Sequence, residues 1–318
     1  MINYAITGVA GYIAPRHLKA ITDTGCNLVA AVDPHDSVGI LDQYFPACAF
    51  FTETERFDRH LDKLRRTLPQ DKIDFLSVCS PNHLHDSHVR LGLRLGADVI
   101  CEKPIVLNPW NLEALRELEK EYGKRVYTVL QLRVHPALVK LKQELAALKQ
   151  TTKHKVSLTY VASRGPWYKF SWKGNISKSG GVATNIGVHF FDLLIWLFGK
   201  VKTSQVHLSF EDKIAGFIEL ENAEVDWFLS IDRNDLPIDL INNNSSTYRS
   251  IKLDNNEIEF TGGFTNLHTK IYSEVLSGHG FGIDDSFPSI ELVHNIRGSQ
   301  ITLSPDTIHP LAKKIISH

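Results

Sequence analysis

From residue 4 to residue 130 the chain alternates short, nearly continuous apolar runs with segments of helical period. This alternation restricts the fold more than any other feature. The apolar runs fall at 4–7, 28–32, 49–51, 75–79, 98–101 and 126–130, and helical patterns fill 14–24, 54–68, 86–95 and 112–122. Strands apolar on both faces must be covered on both faces, and crossover helices supply that cover. The pattern predicts right-handed βαβ units and a parallel sheet.

Near 132–136 the grammar changes. One helix is predicted over 137–149. Runs with period two follow at 155–160, 206–210, 216–220, 224–230, 250–253 and 257–260, punctuated by Glu221-Asn222, Asp254-Asn255-Asn256 and Gly262-Gly263. The expected fold class is α/β. A parallel-sheet domain occupies 1–131, and an α+β domain with a large, mostly antiparallel open sheet occupies 132–318. The 318 residues are enough for two cores.

A formal net charge of -1 gives no global field for nucleic acid or an anionic membrane. No apolar run reads as a membrane span and no leader pattern opens the chain. Cys26, Cys48, Cys79 and Cys101 form neither a CxxC nor a zinc spacing, so no metal is expected and a cytoplasmic, reducing location is. Cys79 and Cys101 read as buried thiols. The alternative for Cys101, a nucleophile activated beside Lys103, has no paired base.

The first strand runs into Gly8-Val9-Ala10-Gly11-Tyr12-Ile13-Ala14. Gly8 permits a tight turn, Gly11 leaves room for a pyrophosphate, and small Ala14 lets the next helix pack closely. That helix start offers free amides and a positive dipole end to phosphates. The spacing G-x-x-G-x-x-A is weak alone but gains from the strand before it, the helix after it and Asp33 at the end of the second strand. Asp33 suits a ribose diol and would repel a 2′-phosphate, which favours NAD over NADP. The alternative is a structural glycine turn with Asp33 as a helix cap.

Two further strand ends lie at the same carboxyl edge, where open parallel sheets bind ligands. Ser80-Pro81-Asn82-His83-Leu84-His85 breaks the strand 75–79, and Asn82 or His85 is expected at the ligand site. Cys101-Glu102-Lys103-Pro104 follows 98–100, and a lysine desolvated there could ease deprotonation of a substrate hydroxyl. The alternative for Lys103 is a salt bridge to Glu102 or another acid.

In the second domain Gly180-Gly181 opens a helix predicted over 185–198. Asn185, His189, Asp192 and Trp196 share one face of it, which suits His189 to act as a general base with polar neighbours. The alternative is an exposed polar stripe. Upstream, residues 164–173 interleave Arg164, Lys169 and Lys173 with Trp167, Tyr168, Phe170 and Trp172, which suits an anionic substrate carrying rings, such as a nucleotide sugar.

Gly8 through Ala14, Ser80 through His85, Cys101-Glu-Lys-Pro104 and Gly180-Gly181 through His189 together resemble the glucose-fructose oxidoreductase / inositol dehydrogenase / MocA family, over nearly the whole chain. Residues 10–17, 164–168, 171–174, 178–181 and 280–294 resemble its WlbA/WbpB branch, the UDP-N-acetyl-D-glucosaminuronate 3-dehydrogenases of lipopolysaccharide sugar synthesis. The resemblance implies a Rossmann domain, NAD, catalysis by Lys103 and His189, and a homodimer or homotetramer. The cofactor set it implies is Gly8, Gly11, Tyr12, Ile13, Asp33, Ser80, Asn82, His85, Glu102, Lys103, Gln131 and Trp172. The substrate set is Lys103, Arg164, Tyr168, Lys169, Lys173, Asn185 and His189. Many family members carry an acid where this chain has Asn185, which leaves the choice of base between Lys103 and His189 open. Some branch members regenerate NAD with 2-oxoglutarate.

The expected activity is oxidation of a sugar C3 hydroxyl on UDP-N-acetylglucosaminuronate. The alternatives are another sugar or polyol as substrate, or a catalytically silent dinucleotide-responsive regulator on the same fold.

Overall fold

The computed structural model describes residues 1–68, 70–147, 152–258, 260 and 263–317. It divides into two compact units, Met1–Val134 with Thr265–Phe287, and His135–Phe264 with Pro288–His318. The return of Thr265–Phe287 to the first unit was not part of the expected single division near residue 131.

The first unit runs β1 (Asn3–Thr7), α1 (Ala14–Asp23), β2 (Asn27–Val32), α2 (Ile40–Tyr44), β3 (Ala49–Phe51), α3 (Thr54–Thr67), β4 (Phe75–Val78), α4 (His85–Arg94), β5 (Asp98–Cys101), α5 (Pro109–Tyr122) and β6 (Val126–Thr128). The six strands form one parallel sheet in the order β3-β2-β1-β4-β5-β6. The order reverses direction at β1 and β4, which makes the carboxyl ends of those strands the ligand crevice of a doubly wound sheet. All five residues of β1 are buried, as covered central strands require. Helix α5 starts one turn earlier than its apolar pattern, with Asn108 before it and Pro109 in its first turn, and ends on left-handed Gly123.

The second stretch runs α6 (Pro136–Ala147), β7 (His154–Ala162), α7 (Trp167–Phe170), α8 (Ile176–Ser179), a π-helical turn (Ala183–Gly187), α9 (Val188–Phe198), β8 (Val201–Ser209), β9 (Lys213–Leu220), β10 (Ala223–Ser230), α10 (Ile238–Asn242), β11 (Thr247–Leu253) and β12 (Asn256–Glu257). Then follow α11 (Leu267–Leu276), α12 (Ile283–Gly298) and α13 (Pro310–Ile316). The expected strand 257–260 is reduced to its first residue, and residue 259 and the expected helix end at 148–149 lie outside the described residues. The division between units falls within α12, at Pro288.

The second sheet has the order β12-β11-β7-β10-β9-β8. Only the β7–β10 pair is parallel, so the sheet is mostly antiparallel, as its period-two runs imply. Tyr160 on β7 packs its ring against Phe190 of α9, and His309, which caps α13, bonds Thr159 on the opposite sheet face. Strand alternation explains this arrangement of α9 on one face and α13 on the other. The stretch Ile176–Phe198 is long and apolar enough to cross a membrane by length and composition, against the expectation that no run is. It is mostly buried within the fold, the signature of a core helix.

Candidate active-site residues

The glycine turn has the geometry its sequence requires. Gly8 has φ +77, and a Cβ there would lie 2.5 Å from the Cys79 carbonyl oxygen. A Cβ on Gly11 would sit 3.0 Å from the Gly8 carbonyl. The turn is therefore a cradle that only glycine leaves open, directly before α1. Tyr12 is exposed and Ile13 packs against the core behind the turn.

Asp33 is buried and holds this turn in place. Its Oδ2 accepts from the Ala10 amide at 3.0 Å and its Oδ1 from the His35 amide at 2.9 Å. A carboxylate has about four acceptor positions, so each oxygen keeps capacity for a ribose hydroxyl. Asp33 does not cap a helix by side chain, which removes the bland alternative for it.

The other predicted groups follow the ends of β4, β5 and β6. Ser80 is buried, with its Oγ 2.8 Å from His88 Nδ1. Asn82 is buried in a short 3-10 turn. Gln131 has a buried Oε1 with no hydrogen-bond partner among the described residues, an orphan that a ligand amide would satisfy. Together with the open cradle and the spare Asp33 lone pairs, this orphan fits a dinucleotide at the carboxyl edge.

Two side chains at this edge are engaged within the protein. His85 has both ring nitrogens beside backbone carbonyls, and a neutral ring can donate to only one of them. Its Nδ1 lies 2.7 Å from the Pro104 carbonyl and its Nε2 2.7 Å from the Ser80 carbonyl. The ring lies between the β4 end and the β5 end. Burial pushes its pKa down, against the pull of the two carbonyls. The Glu102 carboxylate is buried. Its Oε1 takes hydrogen bonds from His17 Nε2 at 2.9 Å and His268 Nε2 at 3.0 Å. Lys103, next in the chain, is half-buried, and the Lys103-Pro104 peptide is cis. Burial pushes the Cys79 and Cys101 thiols well up, which makes both poor nucleophiles at neutral pH.

In the second unit α9 begins after a π turn rather than at Asn185. Such widened turns recur at functional sites because they re-aim side chains. Asn185, His189 and Trp196 are half-buried and Asp192 is buried, so the exposed-stripe alternative fails. Asn185 Nδ2 donates to the Tyr168 hydroxyl at 2.8 Å, which ties the aromatic loop to the start of this helix. Burial raises the Tyr168 pKa, partly opposed by that bond.

The loop itself is uneven. Arg164, Lys169 and Phe170 are exposed, whereas Tyr168 is buried. Lys173 Nζ lies over both indoles, 5.2 Å from the Trp167 ring and 5.6 Å from the Trp172 ring. Burial, then the nearby Arg164, lowers its pKa. A cation on two indoles beside a second cation is a ready partner for an anion.

Sequence reasoning missed three groups. His17 and His268 carry no local sign of pairing with Glu102, since 85 and 166 residues separate them from it. Arg249 on β11 lies against the rings of Tyr160, Phe260 and Phe264 at 4.6–5.7 Å. Only its cross-strand pairing with Tyr160, on the sheet face that α9 covers, reveals it.

The comparisons with known proteins agree with this geometry. Residues 2–130 match the model of an oxidoreductase family with an NAD-binding Rossmann fold, and residues 146–235 match that family's C-terminal alpha/beta domain. The WlbA (WbpB) dehydrogenase of Thermus thermophilus, solved with NAD and alpha-ketoglutarate, is 50% identical, with a TM-score of 0.94 over 98% of this chain and 99% of that one. The same enzyme solved with NAD and UDP-GlcNAcA is 49% identical, with a TM-score of 0.93 over 98% and 99%. The D-glucoside 3-dehydrogenase of Escherichia coli (strain K12) is 27% identical over 49% of this chain and 51% of its own length. The chain spans about half the length of the curated relatives it matches. With both of its domains matched, the chain belongs to the GFO/IDH/MocA oxidoreductase family.

Proposed function

We propose that this protein oxidises the C3 hydroxyl of UDP-N-acetyl-D-glucosaminuronate to the 3-keto sugar, as a step in making a lipopolysaccharide sugar. The observation that carries this reading is the half-identity, over essentially the full length of both chains, to a dehydrogenase solved with NAD and UDP-GlcNAcA. NAD, when bound, would supply the acceptor for the carbinol hydride, and 2-oxoglutarate would serve to reoxidise it, a reading supported by the complex of the same relative with alpha-ketoglutarate.

The chain's own residues do the rest. The glycine turn and Asp33 would hold the diphosphate and the ribose, and Gln131, Ser80, Asn82 and Trp172 would complete the cofactor's surroundings. Lys103 and His189 take the hydroxyl proton, so that loss of hydride and proton together leaves a neutral ketone. Arg164, Lys169 and Lys173 bind the uronate carboxylate or the diphosphate, and Tyr168 with Asn185 shapes that side. We place the enzyme in the cytoplasm as a homodimer or homotetramer. The four free thiols fit a reducing compartment.

The test is to incubate the purified protein with UDP-N-acetylglucosaminuronate and 2-oxoglutarate and to weigh the products. A 3-keto sugar and 2-hydroxyglutarate in equal amounts are expected. Lys103→Ala and His189→Asn should each lower turnover by about 100- to 10,000-fold, the usual worth of general acid–base catalysis. Equal turnover of the sugar without its UDP group would refute the nucleotide-sugar assignment. Near-parental rates in both variants would refute the proton-transfer roles.

A further inference from the structure

Behind the predicted catalytic lysine lies a closed chain of buried polar groups. Ser77 Oγ lies 2.6 Å from the Tyr272 hydroxyl, and that hydroxyl lies 2.7 Å from His17 Nδ1. His17 Nε2 reaches Glu102 Oε1 at 2.9 Å, and His268 Nε2 reaches the same oxygen at 3.0 Å. The other oxygen, Oε2, accepts the Lys103 amide at 3.3 Å. Ser77, Tyr272 and His17 have no exposed surface, and His268 and Glu102 are only 4% and 6% exposed.

The proton directions follow from counting donors and acceptors. Glu102 can only accept while ionised. Burial favours its protonated form, yet the hydrogen bonds from His17 and His268 outweigh that and hold the carboxyl well below its usual range. Burial keeps His17 neutral. Its one proton must sit on Nε2, facing Glu102, so Nδ1 accepts from Tyr272. The tyrosine oxygen then accepts from Ser77. Every proton points toward Glu102, which carries the cluster's charge.

We propose that His17 and His268 are positioning residues for Lys103, acting through the Glu102 anion. The two imidazoles, packed edge to face at 5.0 Å, fix the Glu102 rotamer through one oxygen, His17 from α1 and His268 from α11. Glu102 in turn fixes the Lys103 amide. The lysine backbone is thus held at its amide. His17 lies on the first turn of α1, the helix that follows the glycine turn, so one hydrogen-bonded chain links the cofactor helix to the lysine. The segment Thr265–Phe287 would return to the first unit to deliver His268 and Tyr272. His17, Glu102 and His268 also have ligand atoms close enough to hold a metal ion. Donor-to-acceptor distances of 2.9 and 3.0 Å, together with a satisfied His17 Nδ1, favour hydrogen bonding instead.

This inference rests on the assignment of Lys103 to proton transfer, and its test separates the two. His268→Phe removes the donor to Glu102, whereas His268→Gln keeps one. Hydrogen exchange at the Lys103 amide, followed by mass spectrometry, needs no substrate. It should speed up in His268→Phe and in Glu102→Gln, and stay near parental in His268→Gln. In turnover of UDP-N-acetylglucosaminuronate, His268→Phe should lose about 10- to 100-fold in kcat, the usual cost of loosening a supporting residue. KM for the sugar and the NAD dissociation constant should hardly change, and His268→Gln should restore most of kcat. Should His268→Phe fail to fold, His17→Leu against His17→Gln repeats the comparison. Parental exchange and parental kcat in the donor-deleting variants, with only a lower melting temperature, would overturn the proposal. So would one tightly bound divalent metal per chain that disappears with His268. A parent inactive on the sugar would sink the substrate assignment while leaving the exchange result intact.

Discussion

Lowering the pH from 7 to 5 should remove about 2 kcal/mol of stability from the second unit through His309 alone, by proton linkage. His309 caps α13. Its Nδ1 accepts from the Leu311 amide at 3.2 Å and its Nε2 lies 2.9 Å from Thr159 Oγ1. The ring is 3% exposed and stacks on Phe228 at 5.6 Å. Capping needs a lone pair on Nδ1, so the proton sits on Nε2 and the ring is neutral. Protonation would put a second N–H against the Leu311 N–H. Burial pushes the pKa from 6.5 down to about 4. The folded state therefore binds this proton more weakly than the unfolded chain does. The contribution is fully present above pH 6.5 and is lost progressively as the pH falls toward 4. Asp226 Oδ1, 3.7 Å from Nε2, pulls the other way but is too distant for a hydrogen bond. His309→Asn supplies a capping oxygen that does not titrate. Urea unfolding of parent and variant at pH 7 and pH 5 measures the difference. The variant should start less stable, having lost the ring stack, yet lose about 2 kcal/mol less on acidification, or roughly 4–8 °C for a domain of this size. Equal acid sensitivity in the two proteins would refute the burial argument.

Two further substitutions probe the site. Gly8→Ala forces a Cβ to within 2.5 Å of the Cys79 carbonyl at a φ that side chains avoid, so calorimetric titration should show NAD affinity falling at least about tenfold, with a lower melting temperature. Asn185→Asp places a carboxylate four residues before His189. A carboxylate near His189 favours the imidazolium, so the acid limb of the kcat profile should move up by about one pH unit if His189 is the base. An unmoved limb would assign the base role to Lys103.

Much of the first unit was readable because its signals are local. Strand and helix periods differ, so 4–7 and 98–101 could be placed within a residue or two of β1 and β5. The candidate ligand residues Gly8, Asp33, Ser80 and Lys103 follow from the same logic, since each stands at a strand's carboxyl end. The π turn was not readable. It widens the backbone ladder by one residue, and no side-chain period records that. The edge strand β12 faded for a similar reason, since a strand with one neighbour has half its ladder to hold it.

Glu102 shows a deeper limit. Its position in a Glu-Lys-Pro run at a ligand-binding edge argues for ligand contact, and the adjacent lysine strengthens that reading. Yet successive residues leaving a strand point to opposite sides, so one of the pair had to face inward. Which one is decided by the partner that makes burial affordable. A buried carboxylate requires donors, and these come from residues 17 and 268. Neither is near Glu102 in sequence, and His268 reaches it only because Thr265–Phe287 rejoins the first unit. Residues that meet a ligand at a strand end can thus be inferred from the strand alone. Residues that hold them in place belong to the tertiary fold, and a carboxylate at such an edge should be read as ligand-facing only after a search for buried donors has failed.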